Sequence, residues 1–333
     1  MALAPATLPR LTALPRVTVI MAVRNEAPHI ADAIESVLRQ TYPRERIDII
    51  VADGLSTDAT ASIAAAAARG CRLSIISNPR RSYPAGLNVA VGAAQGDVIV
   101  KLDGHAELDE RYIDEAVRAL ADTNAAVVGP RIRTRGRGST GKAIAFALSH
   151  PLVVGGAEFR YPGPTKPSAS VPFGAYRREI FTRVGPFRED IGRAEDLEFH
   201  ARIRAHGGRL LLLGDTLATY WCRDTFARLA AQYFASGADL ARHPRGTRPY
   251  QIAPPIALAG FVIVSVAALL SRLSPAVPIG AALGYLVLPA TVAVKARQEN
   301  VSSIKAAAAA MVTHASQACG YWWALITLWR RRP

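Results

Sequence analysis

Asp53 is a candidate ligand-binding carboxylate because it follows an apolar run and precedes a glycine. A carboxylate at the end of a strand can accept hydrogen bonds from the N–H and hydroxyl groups of a ligand. Gly54 would let a ligand approach the backbone closely. A turn or helix-cap role is the structural alternative, and Asp58 is the better candidate for that role. We therefore expect Asp53 to bind a ligand.

Asp103 and His105 are candidate metal ligands because they stand two residues apart, just after another apolar run. A lone histidine is more often structural than metal-binding, but an aspartate at the end of the same strand favours a shared cation. Imidazole is a poor ligand for Mg²⁺ and a good one for Mn²⁺. The pair therefore predicts a divalent metal cofactor, with Mn²⁺ preferred and Mg²⁺ as the weaker alternative.

A pair of acids, Glu195 and Asp196, opens a predicted helix and is the candidate for proton transfer. A carboxylate whose pKa is modestly raised by partial burial can remove a proton from a hydroxyl group. Acidic residues are also favoured in the first turn of any helix by the helix dipole. That structural role accounts for one acid more readily than for two, so we expect the pair to belong to a site.

The first hundred residues indicate the elements that would position these side chains. A nearly all-apolar run rich in β-branched residues predicts a buried parallel strand at 17–23, and further strands are predicted at 47–52, 73–77 and 97–102. Segments with a helical apolar face, or rich in alanine, predict helices at 25–40, 57–69 and 85–94. Strand and helix alternate, which predicts an α/β fold with a doubly wound, mostly parallel sheet. Ligands are then expected at the carboxyl ends of the strands, where Asp53 and Asp103 lie.

The chain beyond residue 108 predicts further strands and helices with less regular spacing. Residues 131–142, rich in Gly and Arg, are expected to be irregular. Strands are predicted at 125–128 and 210–213, and helices at 110–121, 143–154, 178–184, 195–206 and 225–242. The last of these helices is amphipathic and leads into an apolar tail.

Composition excludes several classes of protein. The net charge of +14 is compatible with nucleic acid, but zinc-finger spacing and aromatic-basic interleaving are absent, so we expect no nucleic-acid partner. The three cysteines are far apart, which excludes a disulfide framework and fits a reducing compartment. A GxGxxG motif does not follow the first strand, which disfavours an NAD-dependent oxidoreductase. The P-loop pattern is also absent.

Five blocks of sequence, in this order and spacing, resemble the family 2 glycosyltransferases: VTVIMAVRNE, VADGLSTDAT, GLNVAVGAAQGDVIVKLDGHAEL, FGAYRREIFTRVGPF and AEDLEFHARIRAHGG. Within that family, DGH and the stretch YWCRDTFARLAAQYFASG resemble the succinoglycan-biosynthesis ExoA-like branch. Together they cover roughly residues 17–240. The resemblance implies a GT-A nucleotide-sugar-binding domain and the activity of a hexosyltransferase.

The resemblance also implies which residues bind a nucleotide-sugar donor. They are Ala22, Arg24, Glu26, Asp53, Arg81 and Asp103. The family usually has two acids at the base-binding position, where this sequence has Ala52 before Asp53. Arg24 stands where many relatives carry an aromatic residue, and a guanidinium can stack on a pyrimidine or steady a diphosphate. A solvated loop arginine is an equal alternative, and Arg80 competes with Arg81 for contact with the donor.

Catalytic and acceptor roles follow from the same resemblance. The family's DxD motif corresponds to residues 103–105, so Asp103 and His105 are implied as metal ligands, with His105 in place of the second acid. The ED motif makes Asp196 the base and Glu195 its orienting neighbour. The implied acceptor side consists of Phe173, Gly174, Ala175, Tyr220, Arg223 and Gln232. A QxxRW motif is not present as such, which favours addition of a single sugar over processive synthesis.

The apolar tail divides the chain into three predicted parts. Residues 1–16 are expected to be flexible, 17–240 to form the GT-A domain and 241–333 to associate with a membrane. Two segments, 252–271 and 276–294, are each long enough to span a bilayer. Residues 306–329 predict an interfacial helix in preference to a third span, since a third span would leave the C-terminal arginines outside.

The sequence thus predicts an inverting, metal-dependent transfer of a hexose, from a UDP-linked donor, to a lipid-linked sugar in exopolysaccharide or envelope glycan synthesis. The enzyme would lie at the inner (plasma) membrane with its catalytic domain in the cytoplasm, because the first sixteen residues lack a signal-peptide core. Membrane lipid and other glycan-assembly enzymes are the expected partners. Transfer to a bare polyprenyl phosphate, or a catalytically inactive membrane scaffold with the same fold, are the alternatives.

Overall fold

The computed structural model describes residues 11–12, 14–192, 195–244, 247, 249–270 and 273–330. Within these ranges the strands are β1 (Val17–Val23), β2 (Ile47–Asp53), β3 (Arg72–Ser77), β4 (Val98–Lys101), β5 (Ala106–Leu108), β6 (Ala125–Arg135), β7 (Lys166–Pro167), β8 (Ala175–Arg177) and β9 (Arg209–Trp221). The helices are α1 (Ile30–Leu38), α2 (Thr60–Ala67), α3 (Tyr83–Ala93), α4 (Tyr112–Asp122), α5 (Gly138–Leu148), α6 (Pro151–Val154), α7 (Glu179–Val184), α8 (Glu195–Ala205), α9 (Phe226–Arg242), α10 (Pro249–Leu269), α11 (Ala276–Gln298) and α12 (Ser303–Arg330).

The chain divides into two compact units. The first comprises Met1–Arg133 and Pro162–Tyr220, and the second comprises Thr134–Tyr161 and Trp221–Pro333. This grouping differs from the predicted boundary at residue 240, because α5, α6 and α9 belong with the C-terminal helices. The flexible segment predicted at 1–16 falls mainly on residues outside the described ranges. The role predicted for each part of the chain stays a prediction.

One half of the sheet is parallel, as the alternation of strand and helix predicts. Its strand order is β3-β2-β1-β4, and each neighbouring pair runs in parallel. Every residue of β1 is buried, which explains its uninterrupted run of apolar residues. Val23, Asp53 and Ser77 lie side by side at the carboxyl ends of three of these strands.

The other half of the sheet is antiparallel. β8 lies between β4 and β6 and pairs with both in antiparallel fashion, while β5 and β7 pair with β9. The expectation that residues 131–142 are irregular is wrong, because β6 continues to Arg135 and α5 begins at Gly138. The strand predicted at 210–213 also continues to Trp221. The sheet is therefore mixed, and its parallel half carries the predicted ligand edge.

Two helices on the parallel half of the sheet, α1 and α3, begin at residues other than those predicted. The later start of α1 lengthens the loop before it. The helix predicted from residue 25 begins at Ile30, because Asn25 adopts a left-handed backbone conformation with φ +57°. Residues 24–29 therefore form a loop at the carboxyl end of β1. Helix α3 begins at Tyr83, where the Ser82 side chain accepts a hydrogen bond from the backbone N–H of Ala85.

The second unit is helical, and glycines allow two of its helices, α9 and α12, to cross in close contact. A Cβ added to Gly237 of α9 would lie 2.0 Å from the carbonyl oxygen of Gln317 in α12. A Cβ added to Gly320 of α12 would lie 2.0 Å from the carbonyl oxygen of Phe234 in α9. Small residues let two helix backbones touch in this way. Helix α12 is thus packed on α9 along part of its length.

Among the described residues, two helices are long and apolar enough to cross a membrane, α10 and α11. They correspond to the two predicted spans, and most of their large apolar side chains are exposed. Pro255 lacks the N–H that would bond the carbonyl of Gln251 in a regular helix. The Gln317 side chain of α12 donates to that carbonyl instead, at 2.9 Å. The chain therefore contains two candidate transmembrane helices.

Candidate active site

The loops that follow β1 and β2 are joined by hydrogen bonds around Asp53. Asp53 accepts hydrogen bonds from both the backbone N–H and the hydroxyl group of Ser56. Asn25 donates its backbone N–H to the Ser56 hydroxyl oxygen at 2.9 Å and accepts from the N–H of Thr57 at 2.8 Å. Asp53 therefore shares the turn-forming role that the sequence assigns to Asp58. Each carboxylate oxygen has a second lone pair, so Asp53 keeps the capacity to accept from a ligand.

Gly54 allows the same two loops to approach each other. Its N–H donates to the carbonyl of Val23 at 2.8 Å, and a Cβ at this position would lie 3.3 Å from the Cβ of Arg24. Arg24 is exposed beside this contact. The other two candidate arginines differ from each other, since Arg80 forms an ion pair with Glu189 while Arg81 is exposed on a left-handed backbone.

Ala22 is buried in β1 and only 5% of its surface is exposed. A Cβ on Gly86 of α3 would lie 2.8 Å from the Ala22 Cβ, so the helix packs directly on this residue. The Ala22 side chain therefore lies under α3, and the donor-binding role predicted for Ala22 stays a prediction.

Glu26 and His105 form a carboxylate–histidine pair. The Nδ1 atom of His105 lies 3.0 Å from Oε1 of Glu26, and the His105 ring makes an edge contact with Tyr220. Gly104 is needed here, because a Cβ would lie 3.0 Å from Cγ of Glu26. A neutral His105 that donates Nδ1–H to the carboxylate has Nε2 as its acceptor nitrogen. Glu26, predicted to contact the donor, therefore orients His105.

The residues present fit a divalent cation in their donor chemistry. Asp103 supplies carboxylate oxygen and His105 supplies imidazole nitrogen, and metal-binding histidines commonly donate their other ring N–H to a carboxylate such as that of Glu26. No group of three or more His, Cys, Asp or Glu side chains that could hold a metal occurs among the described residues. A cation held by Asp103 and His105 would need further ligands from a bound diphosphate.

Lys101 is the buried centre of the site, and sequence reasoning did not identify it. Its ammonium nitrogen lies 2.8 Å from Oε1 of Glu195, and only 7% and 6% of the two side chains are exposed. It also lies 5.3 Å from the ring centre of Tyr83, whose hydroxyl group hydrogen-bonds Asp103. Burial by itself would lower the pKa of Lys101. The charge of Glu195 has the largest opposing effect on this pKa, followed by the charges of Tyr83, Asp196 and Asp103. The net result is a pKa well above the usual value. Lys101 is therefore a permanent cation.

Asp196 stands beside this ion pair at the start of α8. It is half-buried, and its Oδ1 atom accepts from the N–H of Leu197 at 2.7 Å. Its charge acts on Lys101, as does that of Asp103. Glu195 thus contacts the buried ammonium group directly, Asp103 is connected to it through Tyr83, and Asp196 is the next residue after Glu195.

The segment 173–176 runs beside β4. The carbonyl of Gly174 accepts from the N–H of Lys101 at 2.9 Å, and that of Phe173 accepts from the Tyr112 hydroxyl at 2.6 Å. A Cβ on Gly174 would lie 2.8 Å from the ring of Tyr176. Ala175 is buried in β8, where it pairs with β4.

The predicted acceptor residues do not all belong to one unit. Phe173, Gly174, Ala175 and Tyr220 belong to the first unit, whereas Arg223 and Gln232 belong to the second. A common acceptor role for them stays a prediction.

His200 lies in a second buried polar cluster, which the sequence did not indicate. Its two ring nitrogens lie 2.9 Å from the hydroxyl oxygens of Ser170 and Tyr176. Burial, with a smaller contribution from Lys101, lowers the pKa of His200 to about 3, so the imidazole is neutral.

The sequence did contain one signal for Lys101, namely its position in an otherwise apolar strand, because a buried charge requires a partner.

Comparison with known proteins identifies the family. The sequence profile described as glycosyl transferase family 2 matches residues 18–185. The succinoglycan biosynthesis protein ExoA of Rhizobium meliloti is 30% identical over 323 residues, which cover 94% of this chain and 96% of that protein. A dolichyl N-acetyl-alpha-D-glucosaminyl phosphate 3-beta-D-2,3-diacetamido-2,3-dideoxy-beta-D-glucuronosyltransferase of Methanococcus voltae is 22% identical over 231 residues, 67% of this chain and 72% of that protein.

The fold is also that of known glycosyltransferases. The mannosyltransferase PcManGT of Pyrobaculum calidifontis, solved in complex with GDP-Man and Mn2+, superposes with a TM-score of 0.60 at 22% identity, over 99% of this chain and 91% of that one. This likeness confirms the predicted GT-A fold, in which a parallel half-sheet carries the acids at its carboxyl edge. The chain belongs to glycosyl transferase family 2, and it is an ExoA-like glycosyltransferase that uses a nucleotide-sugar donor.

Proposed function

We propose that this enzyme transfers a hexose from a UDP-linked donor to a lipid-linked sugar acceptor, with inversion at the anomeric carbon and with a divalent metal. The observation that carries the proposal is the contact series from Asp103 through Tyr83 and the buried ammonium of Lys101 to Glu195, the neighbour of Asp196 in sequence. This series supports a diphosphate site at Asp103 and a base at Asp196. The relative from Methanococcus voltae, named for transfer to a dolichyl phosphate-linked sugar, supports an acceptor of the same class.

Donor binding is assigned to the joined loops after β1 and β2. Asp53 accepts hydrogen bonds from the base or the ribose, using the lone pairs that Ser56 leaves. Arg24 and Arg81 are exposed cations for the diphosphate. Asp103 and His105 would hold the divalent cation, which would supply positive charge to stabilise a departing diphosphate.

Asp196 is the proposed base. As the acceptor hydroxyl oxygen attacks the anomeric carbon, the hydroxyl proton passes to the Asp196 carboxylate. The new bond joins the anomeric carbon to the acceptor oxygen, and the bond to the phosphate oxygen breaks on the opposite face. The diphosphate leaves with the electron pair, and the configuration inverts. Glu195 is bound to Lys101, so it acts on the orientation of Asp196 and does not accept the proton.

Membrane attachment suits a lipid-linked acceptor. Helices α10 and α11 are candidate spans, and Lys295 and Arg297 lie in the last turn of α11. Basic residues next to a span favour the cytoplasmic side. We therefore assign the catalytic unit to the cytoplasmic face of the inner membrane. Helix α12, which carries Trp322 and Trp323, is assigned to the membrane interface.

The test is turnover by membranes containing the protein, with a set of nucleotide sugars that includes both UDP- and GDP-linked hexoses. Each donor is offered with polyprenyl phosphate or with a polyprenyl-diphosphate-linked sugar, in Mn²⁺, in Mg²⁺ or in a chelator. We expect a product one hexose larger than the lipid-linked sugar, formed with a UDP donor and Mn²⁺. Its anomeric configuration, determined by NMR, should be opposite to that of the donor.

Four outcomes would contradict parts of this proposal. Product formed only on bare polyprenyl phosphate would make the enzyme a supplier of donor lipid. Full activity in the chelator would exclude the metal. Turnover that survives in the Asp196→Asn variant would remove Asp196 as the base, and the absence of turnover with every donor would favour an inactive scaffold. Glu198→Gln, on the same helix as Asp196, serves as the matched control.

A further inference from the structure

A continuous series of buried and half-buried side chains connects the start of α8 to the end of β4. Glu195 binds the Lys101 ammonium at 2.8 Å, that ammonium lies over the ring of Tyr83, and the Tyr83 hydroxyl binds Asp103. At one end of the series is Asp103, and at the other end is Asp196, the neighbour of Glu195 in sequence. The two ends are the groups that the proposed function assigns to the donor and to the acceptor.

Lys101 is held too rigidly to move independently of the sheet. Its N–H donates to the carbonyl of Gly174 at 2.9 Å, and it stands opposite Ile20 in the parallel pairing of β4 with β1. The other residues of β4 are buried and apolar. An ammonium group inside such a strand is costly unless it is paired, so its position dictates where the carboxylate of Glu195 must lie.

Helix α8 has a separate anchor for its fold. The buried Glu198 carboxylate accepts from Arg202 at 2.8 Å, and Arg202 also donates to the carbonyls of Val184 and Pro186. These contacts fix the middle of the helix to the segment that follows α7. The Lys101–Glu195 pair therefore fixes specifically the first turn of α8, which contains Asp196.

We propose that Lys101 and Tyr83 are positioning residues of the transfer reaction. Lys101 acts through Glu195 and fixes the place of Asp196, while Tyr83 orients the carboxylate of Asp103. This inference rests on the proposed function. It adds that the donor and acceptor halves of the site are aligned by one contact series.

Replacing the ion pair by apolar residues of similar size separates positioning from folding. The single Lys101→Met variant leaves a buried carboxylate unpaired, so its melting temperature should fall. The double Lys101→Met/Glu195→Leu variant removes both charges of this pair, and its melting temperature should recover. Its kcat should nevertheless stay about 100-fold below wild type, because the base is displaced from the acceptor oxygen. A double variant that regains both its melting temperature and its kcat would show that the pair is only structural.

A matched pair of single substitutions covers the case in which the double variant does not fold. Glu195→Gln and Glu198→Gln each neutralise a buried acid of α8 that is bound by a cation. Both should lower the melting temperature, but only Glu195→Gln should lower kcat below the melting transition. Equal kcat values in the two variants would overturn the inference for Lys101.

Tyr83→Phe tests the other end of the series. It removes one hydroxyl group and keeps the ring beside Lys101, so the fold should survive. We expect the KM for the donor to rise about tenfold, with the KM for the acceptor unchanged. An unchanged donor KM would overturn the role of Tyr83.

Asp196→Asn and Asp103→Asn separate a failure of this inference from a failure of the proposed function. If these variants keep full activity, the proposed roles of the acids are wrong. If they are inactive while the Lys101 and Tyr83 variants behave as wild type, the acids act as proposed and the positioning inference alone is wrong.

Discussion

His200 is a neutral imidazole enclosed by two hydroxyl groups, and its protonation costs folding free energy. Its pKa is about 3 in the folded protein and 6.5 when unperturbed. Between these values the unfolded chain binds a proton that the folded chain does not bind, so the stability is complete above pH 6.5 and is lost as the pH falls towards 3.

We therefore expect the melting temperature of the wild-type protein to fall as the pH is lowered from about 6.5. A His200→Gln variant can donate and accept hydrogen bonds but does not titrate. Its melting temperature should depend less on pH in this window, although it is lower at neutral pH. Thermal unfolding of the detergent-solubilised proteins over a pH series measures the difference. Parallel curves for the two proteins would contradict the assignment.

Glu26 determines how strongly His105 can hold a metal. Glu26→Gln removes the carboxylate that accepts from Nδ1, so the imidazole becomes less basic. The Mn²⁺ concentration that gives half-maximal activity should rise about tenfold. Direct titration of bound Mn²⁺ by electron paramagnetic resonance in the presence of UDP provides a second measurement. An unchanged Mn²⁺ requirement would separate Glu26 from the metal.

Exchanging the imidazole for a carboxylate should change the preferred metal. In His105→Asp the protein would offer two carboxylates, which favours Mg²⁺ relative to Mn²⁺. The new carboxylate would be repelled by Glu26, so the double variant Glu26→Gln/His105→Asp should be the more active one. The ratio of the rates in Mg²⁺ and Mn²⁺ is the measurement. The same ratio in wild type and in both variants would argue against His105 as a ligand.

At the level of elements, the glycine crossing of α9 and α12 should be intolerant of any side chain. Gly237→Ala would put a Cβ about 2.0 Å from a carbonyl oxygen. The helices would have to separate, at a cost of about 1–3 kcal/mol. Gly284→Ala is the matched control, because a Cβ there meets no atom within 4 Å. We expect a lower melting temperature for the first variant only, and similar values for both would contradict the close crossing.

The strands of the parallel half could be predicted because β1, β2 and β4 are mostly apolar runs, although β3 is largely exposed. The full extent of two strands in the antiparallel half could not be predicted, because β9 contains Gly214 and Asp215, which locally resemble a turn, and the second half of β6 is rich in arginine. Their extended conformation depends on pairing with strands distant in sequence, and local patterns do not contain that information.

The acids of the site were identified because each one stands next to a predicted strand or helix end. Lys101 and Tyr83 were not identified, since their importance arises from contacts across the fold. Lys101 and Glu195 are 94 positions apart in the chain, and Tyr83 is 20 positions from Asp103. A lysine in an apolar strand indicates that some partner must exist but does not indicate which one.

At the scale of the whole molecule, the proposed topology predicts the side of the membrane on which the C-terminus lies. With the catalytic unit in the cytoplasm, as proposed, two spans and an interfacial α12 would leave the C-terminus there too. Alkaline phosphatase fused after α12 should therefore be inactive, whereas the same enzyme inserted between α10 and α11 should be active. Activity of the C-terminal fusion would require α12 to cross the bilayer.

Hydrogen bonds bind the loops after β1 and β2 to each other. Asn25, Ser56 and Thr57 close this network on Asp53, and the N–H of Glu26 adds a bond to Thr60 at 2.8 Å. At the proposed donor site, a nucleoside would bind to loops that are already ordered, so little binding free energy would be lost in ordering the polypeptide. The Asn25→Ala variant removes one of these hydrogen-bonding side chains. It should weaken nucleotide binding mainly through entropy, which calorimetry can measure.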